Sequence, residues 1–333
     1  MRDYLIRRIL YMFLVLWLVS IISFLVIQLP PGDFLSTIIS RLEQQGNVLS
    51  KAEIDALRVQ YGLDLPIYQK YFRWVSGFID GNFGHSFEWD EPVSKLIGER
   101  LVLTFFIAFL IIIFTYFISI PIGIYSATHQ YSIGDNLVTI FGFLGLATPN
   151  FLLALIILYF GLAWFGLDLD GLYSEEYLSK PWSVNKFLDM MSHLPLQIIV
   201  VSTSLSAGLI RVMRASLLDE LQKQYVITAR AKGLKEGKLL FKYPVRLALN
   251  PIVSEFAMVF PATISAATIT AIILNLPTAG PLLLRSLMSQ DTYLAATLLM
   301  FMTFLVVVGT SVADLLLVKL DPRIKLEKET EPG

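Results

Sequence analysis

The chain has 333 residues, of which 55% are hydrophobic and 16% charged, with a formal net charge of -1 and a mean hydropathy of +0.66. A soluble domain carries about 25% charged residues, so this composition belongs in a membrane, and the absence of bulk basicity excludes nucleic acid as a partner. With no cysteine in the sequence, disulfides, thiolate catalysis and sulfur-ligated metals are excluded as well.

Six segments are apolar over the roughly 20 residues a crossing helix needs: 10–29, 101–126, 137–165, 194–213, 252–275 and 294–318. The first follows Arg2, Arg7 and Arg8, as a signal sequence would. Its apolar run is too long for a cleaved h-region, and no small-x-small site precedes Pro30-Pro31-Gly32. Residues 1–29 are therefore expected to hold a retained first span with its amino terminus in the cytoplasm.

Residues 30–100 are too many for a turn and predict a small helical insertion outside the membrane. Ser50-Lys-Ala-Glu53 is a capping box that opens a helix to be closed by Gly62, and Pro66 opens a second helix toward Gly77 or Gly81. Tyr68, Tyr71, Phe72, Trp74, Phe78 and Phe83 supply an apolar or interfacial surface. The plain expectation is a cap on the outer membrane face; direct contact with a ligand is the alternative. The second outer segment, 166–193, is acidic and aromatic, and Asp168-Leu-Asp170-Gly171 is only a fragment of a calcium loop.

A basic segment, 214–249, follows the fourth span. From Arg211 to Arg246 it carries Arg211, Arg214, Lys223, Arg230, Lys232, Lys235, Lys238, Lys242 and Arg246 against Asp219, Glu220 and Glu236. With Lys319, Arg323, Lys325 and Lys328 of the tail, 319–333, these face the cytoplasm, while the short outer loops hold Lys180, Lys186 and Arg285. Both termini are thus expected inside. Ala229 and Gly233 are four residues apart, and the spacing predicts a nearly bare helix face that a partner could approach closely.

Gly233-Leu-Lys-Glu-Gly237-Lys238-Leu239 is not a phosphate loop, because three residues separate the glycines where four are needed and Leu239 replaces the magnesium-binding hydroxyl. His85, His129 and His193 lack ligand spacing, so no metal site is expected. No catalytic constellation appears. The fifth span carries Glu255, Thr263, Ser265, Thr268 and Thr270 among small residues, which makes it the candidate wall of a translocation path. Equally, Glu255 can reach the membrane interface or pair with a nearby arginine, and Asp314 can snorkel.

Taken together, five stretches resemble one family. Tyr4-Leu-Ile-Arg-Arg8 with Pro31-Gly32-Asp33, Tyr61-Gly-Leu-Asp-Leu-Pro66 with Gly81-Asn-Phe-Gly84-His-Ser86-Phe87, Thr228-Ala-Arg-Ala-Lys-Gly233-Leu234, Leu276-Pro-Thr-Ala-Gly280, and Asp321-Pro-Arg-Ile324 occur in order. They are similar to the permease subunits of ATP-binding-cassette importers of the oligopeptide, dipeptide and nickel branch. The wider superfamily has a Glu-Ala-Ala-x-x-x-Gly signature; this chain keeps Ala229 and Gly233 but has Ile227 and Thr228 at the first two positions, with the later proline two residues early as Pro244.

The resemblance implies an all-α type I importer fold with a transmembrane core over 101–318 in a prokaryotic cell membrane. It implies a homologous second permease, two cytoplasmic ATPases that hold the ATP and magnesium, and an extracytoplasmic solute-binding protein. This chain itself would bind no cofactor and catalyse nothing. Tyr225, Thr228, Ala229, Arg230, Ala231, Lys232 and Gly233 would form the coupling contact with an ATPase, and the solute would be a peptide, a metal chelate or an oligosaccharide. An ion-coupled transporter working alone would place charges at midplane and show repeats, which this sequence does not. A membrane-embedded enzyme would need the catalytic constellation that is missing.

Overall fold

The computed structural model describes residues 2–30, 32, 34–44, 50–60, 64–166 and 169–320. In chain order the helices are α1 (Arg2–Gln28), α2 (Phe34–Gln44), α3 (Lys51–Gln60) and α4 (Ile67–Gly77), followed by a two-residue hairpin, β1 (His85–Ser86) and β2 (Glu91–Pro92). There follow α5 (Val93–Thr128), α6 (Ile133–Ala147), α7 (Asn150–Phe165), α8 (Val184–Leu221), α9 (Gln224–Ala231), α10 (Glu236–Lys242), α11 (Pro244–Ser254), α12 (Phe256–Ile273), α13 (Ala279–Met288) and α14 (Thr292–Leu320).

Among the described residues five helices, α1, α5, α8, α12 and α14, are long and apolar enough to cross a membrane. The predicted third span is broken. It consists of α6 and α7, which qualify together but bend by 104°. Pro149 has no N–H and forces the preceding Thr148 out of the helical region, to φ -94° and ψ 119°. The fifth span is also divided: its predicted start, 252–254, belongs to α11, and α12 begins after Glu255. At 1.5 Å per residue the 38 residues of α8 measure about 57 Å, well over a hydrocarbon core of about 30 Å. α8 is therefore longer than the hydrocarbon core can hold.

The chain divides into two compact units, one comprising 1–104 and 277–307, the other 105–276 and 308–333. In the first, the expected capping box forms: Ser50 Oγ accepts the Glu53 N–H at 3.3 Å while Glu53 Oε2 accepts the Ser50 N–H at 2.8 Å. The Ser50 donors hold the Glu53 carboxyl below its ordinary range. Pro66 opens α4 as expected, and Gly77 closes it; Gly62 lies outside the described residues. Of the insertion's aromatics, Trp74 is buried, stacks 5.5 Å from Phe24 and donates its indole N–H to Thr297 Oγ1 at 2.9 Å. Tyr71 donates to Ser20 Oγ at 2.8 Å, since the serine hydroxyl is committed to the Trp17 carbonyl. Tyr68 and Phe72 stay exposed.

The same unit is closed by Asp291, which is fully buried between α13 and α14. Its Oδ2 accepts from the Ser86 hydroxyl at 2.6 Å and from the N–H groups of Phe87 and Glu88 at 2.9 and 3.2 Å; Oδ1 caps α14 by accepting from Leu294 at 3.3 Å. Burial pushes this carboxyl above its ordinary value against the pull of those four donors.

In the second unit α8 is the spine. Leu209, Met213 and Leu217 pack with Val245, Ala248 and Ile252 of α11 and with Val259 of α12. Buried side chains add bonds between helices: Gln197 Nε2 donates to the Ala267 carbonyl at 3.0 Å, and Ser202 Oγ to the Ile111 carbonyl at 3.3 Å. Close helix contact needs small residues. A side chain on Gly123 would lie 2.6 Å from Met213 Cβ, and one on Gly309 would enter the ring of Phe260.

Candidate functional site

The 214–249 segment begins as the continuation of α8. Asp135 is the third residue of α6, where its own N–H bonds Ser132 Oγ at 3.1 Å. Its carboxylate takes a forked pair from Arg214, Nε at 3.1 Å and Nη2 at 2.9 Å, together with the Ser126 hydroxyl and the Tyr131 N–H. This pin fixes the rotation of α8 where it leaves the apolar stretch. The partners are 79 residues apart, which is why the sequence showed Arg214 only as one of nine loop cations.

Beyond Leu221 the chain turns at Gln222 and enters α9, with Lys223 as its N-cap. Tyr225 reaches back to α8, donating to Glu220 Oε2 at 2.5 Å. Burial, then the bond to the glutamate and its charge, push the phenol above its ordinary value, so it stays a donor at neutral pH. Val226 and Leu239 are fully buried and give α9 and α10 their apolar anchors. Arg230 forks onto Glu236 at 2.6 and 3.1 Å across the turn between them. The pair keeps the guanidinium protonated and the carboxyl ionised, each shifted toward its charged form.

Gly233 does not lie on the helix face. It follows the α9 C-cap, Lys232, with φ +79°, its N–H bonds the Arg230 carbonyl at 3.0 Å, and the Leu234 N–H bonds the Ala229 carbonyl at 3.3 Å. That is a Schellman stop, for which glycine is the ordinary residue. The four-residue spacing from Ala229 therefore marks the end of a helix, and Ala229 itself is half-buried. What α9 does expose is Ile227, with 47% of its surface accessible, and Ala231 four residues on, flanked by Thr228 and Lys232. The Thr228 hydroxyl is turned inward onto the Gln224 carbonyl at 2.8 Å.

The five α12 candidates separate by face. Thr263 and Thr270 are buried and donate to the carbonyls four residues back, Val259 at 2.7 Å and Ala266 at 2.8 Å. Thr268 is half-buried and donates to Ile264 in the same way. Only Ser265 is exposed, on a stripe with Met258, Ala262 and Ile269. Glu255 is half-buried at the junction of α11 and α12, one turn from Pro251, whose carbonyl accepts its N–H at 3.0 Å. Among the described residues no group of three His, Asp or Glu side chains comes together as a metal site would require.

Among the described residues, helices long and apolar enough to cross a membrane thus flank a pair of short helices that continue from the longest of them. Residues 1–108 and 119–326 match the N-terminal and main models of the binding-protein-dependent transport system inner membrane components. The chain belongs to that family.

Its relatives include the oligopeptide transport system permease protein AppB of Bacillus subtilis, 34% identical over 98% of this chain and all of the relative. A putative peptide permease protein of Brucella ovis is 31% identical over 98% of this chain and all of its own length. The oligopeptide transport system permease protein OppB of Mycobacterium tuberculosis is 29% identical, with the same coverage.

Proposed function

We propose that this chain is one of two membrane subunits of an ATP-driven importer that takes up peptides delivered by an extracytoplasmic binding protein. The observation that carries this is the construction of α9. It is held to the end of α8 by Tyr225 on Glu220 and stopped by the turn at Gly233, and it exposes a small apolar face at Ile227 and Ala231. A face of that size suits the groove of a cytoplasmic ATPase. Two ATPases, which hold the nucleotide and magnesium, would move α9 on closing, and the Arg214–Asp135 pin would pass that movement into α8 and α6 as a rigid-body rotation.

Peptides are preferred over oligosaccharides or metal chelates because the relatives named above are oligopeptide or peptide permeases. A homologous second permease would complete the pathway, and the exposed α12 stripe through Ser265 is proposed as part of its wall. On this reading both termini and the 214–249 segment lie in the cytoplasm, as the excess of Lys and Arg there supports. Cysteines introduced at Lys235 and Lys328 should be shielded from an impermeant reagent in intact cells while one at Asp170 reacts; labelling at Lys235 from outside would overturn the orientation. The transport reading is tested by reconstituting the complete complex and measuring ATP hydrolysis stimulated by peptide-loaded binding protein. Robust hydrolysis by this chain purified alone would sink it.

A further inference from the structure

A cavity of about 400 Å³ opens between α6 and α8, with Tyr131, Asn136, Phe143, Arg211 and Arg214 in its wall. Its volume falls within the roughly 300–1,000 Å³ of small-molecule sites. Two guanidinium groups on one wall call for two anions, and among the described residues the wall supplies one. Asp135 takes Arg214, and its remaining capacity goes to Ser126 and the Tyr131 N–H. That pair cancels in charge and leaves one Nη of Arg214 outside it. Arg211 is exposed and lies 5.1 Å from the centre of the Phe143 ring, and among the described residues no carboxylate pairs with it. Stacking on a ring occupies a guanidinium's face and leaves its in-plane donors available.

Depth decides what those donors meet. On α8 no Asp, Glu, Lys or Arg occurs between Asp189 and Arg211, and from Leu194 to Ile210 every side chain is uncharged. That run spans about 26 Å at 1.5 Å per residue, nearly the thickness of the hydrocarbon core. Arg211 is therefore the first cation at the level where lipid phosphates begin. Beside the guanidinium groups the wall of the cavity is apolar, formed by Val138, Gly142 and Phe143 of α6 and Ala207 and Ile210 of α8, a surface fit for the first part of an acyl chain.

We propose that this cavity binds the phosphate headgroup of an anionic phospholipid, with Arg211 and the uncommitted Nη of Arg214 as its cationic contacts and the amide of Asn136 as a neutral donor. Basic pockets between membrane helices take such headgroups, and the attraction is electrostatic. The inference rests on the depth of Arg211 and holds whichever leaflet it faces.

The test uses the complete transporter, delipidated in detergent and offered equal amounts of phosphatidylglycerol and phosphatidylcholine, with bound lipid counted by native mass spectrometry. The wild type should prefer phosphatidylglycerol. Arg211→Gln should lower its retention roughly tenfold, the loss of one charge-assisted contact to phosphate. Arg211→Lys keeps the charge but not the fork and should lose less. Lys238→Gln, the same change of charge on the exposed α10, should lose nothing.

Equal retention by Arg211→Gln overturns the proposal. So does displacement of the lipid by inorganic phosphate, which would mean that the site has no use for the acyl chains, or a photo-crosslinker at Thr139 that captures a partner subunit instead of lipid. Peptide-stimulated hydrolysis, measured on the same preparations, reports on the transport reading separately. A complex that couples normally without a lipid preference sinks only the lipid site.

Discussion

Two turns in this chain share one hydrogen-bond pattern and differ in everything around it. After α9 the turn is closed by Gly233, and after α13 by Gln290, also left-handed at φ 55°, with the Asp291 N–H bonding the Ser286 carbonyl at 2.8 Å. A non-glycine residue there costs about 1–2 kcal/mol, and the surroundings must hold it. Asp291 does so, drawing Ser86, Phe87 and Glu88 of the hairpin onto one buried carboxylate. Around Gly233 nothing lies within 4 Å of where a side chain would begin. The buried turn is locked by its own unit, whereas the exposed one uses glycine to form without support and leaves its surface open.

The largest effect should come from breaking the locked turn. Asp291→Ala orphans four donors at a fully buried position, and at about 1–3 kcal/mol for each unsatisfied group the loss should reach at least about 3 kcal/mol even if water fills part of the gap. It is read as a lower unfolding temperature of the purified complex in detergent. Asp291→Asn keeps an acceptor and should recover part of the loss.

The same carboxyl sets a pH dependence. Its folded value lies above the ordinary 3.8, so the folded state holds a proton that the unfolded chain has already released. Its contribution is greatest below about 3.8 and is lost as pH rises through the raised value. Titration of stability upward from acid should show this decline in the wild type and a flatter profile in Asp291→Asn.

At the exposed turn the larger test concerns association. Ala231→Trp places bulk on the open face of α9 without touching the fold. A clash at a packed contact costs about 1–3 kcal/mol, a 5- to 150-fold loss of ATPase association at about 1.4 kcal/mol per decade. Co-purification of the ATPases and stimulated hydrolysis should both fall. If they hold, Ile227 and Ala231 are not the coupling face. Gly233→Trp is the poorer experiment, because it mixes bulk with backbone strain. Gly233→Ala isolates the strain and should cost about 1 kcal/mol, with association recovered on cooling.

What the sequence revealed and what it hid divide along contact distance. The Ser50–Glu53 cap, the opening of α4 at Pro66 and the short helix in the basic segment are local, set by residues three or four apart. The Thr148-Pro149 break was equally local but was masked by apolar composition on both sides. Asp291 and Ser86 are 205 residues apart, and no periodicity joins them. The facing of the α12 hydroxyls was hidden for another reason: in a membrane helix a threonine can satisfy itself on the carbonyl one turn back, so Thr263 and Thr270 are polar in sequence and buried in the fold.

The smallest expected effect sharpens the comparison most. Arg230 and Glu236 form the best-aligned ion pair of the α9–α10 turn, at 2.6 and 3.1 Å, and both are exposed. Exposed pairs contribute little to stability because water screens them and holding two long side chains has an entropic cost. Glu236→Gln should therefore leave the unfolding temperature of the complex where it was, unlike Asp291→Ala. Its consequence belongs to the interface: a guanidinium released from Glu236 is free to turn toward an approaching surface, so the variant should alter the salt dependence of ATPase association. A clear drop in unfolding temperature would mean that this turn is also locked from within, and the contrast with Asp291 would fail.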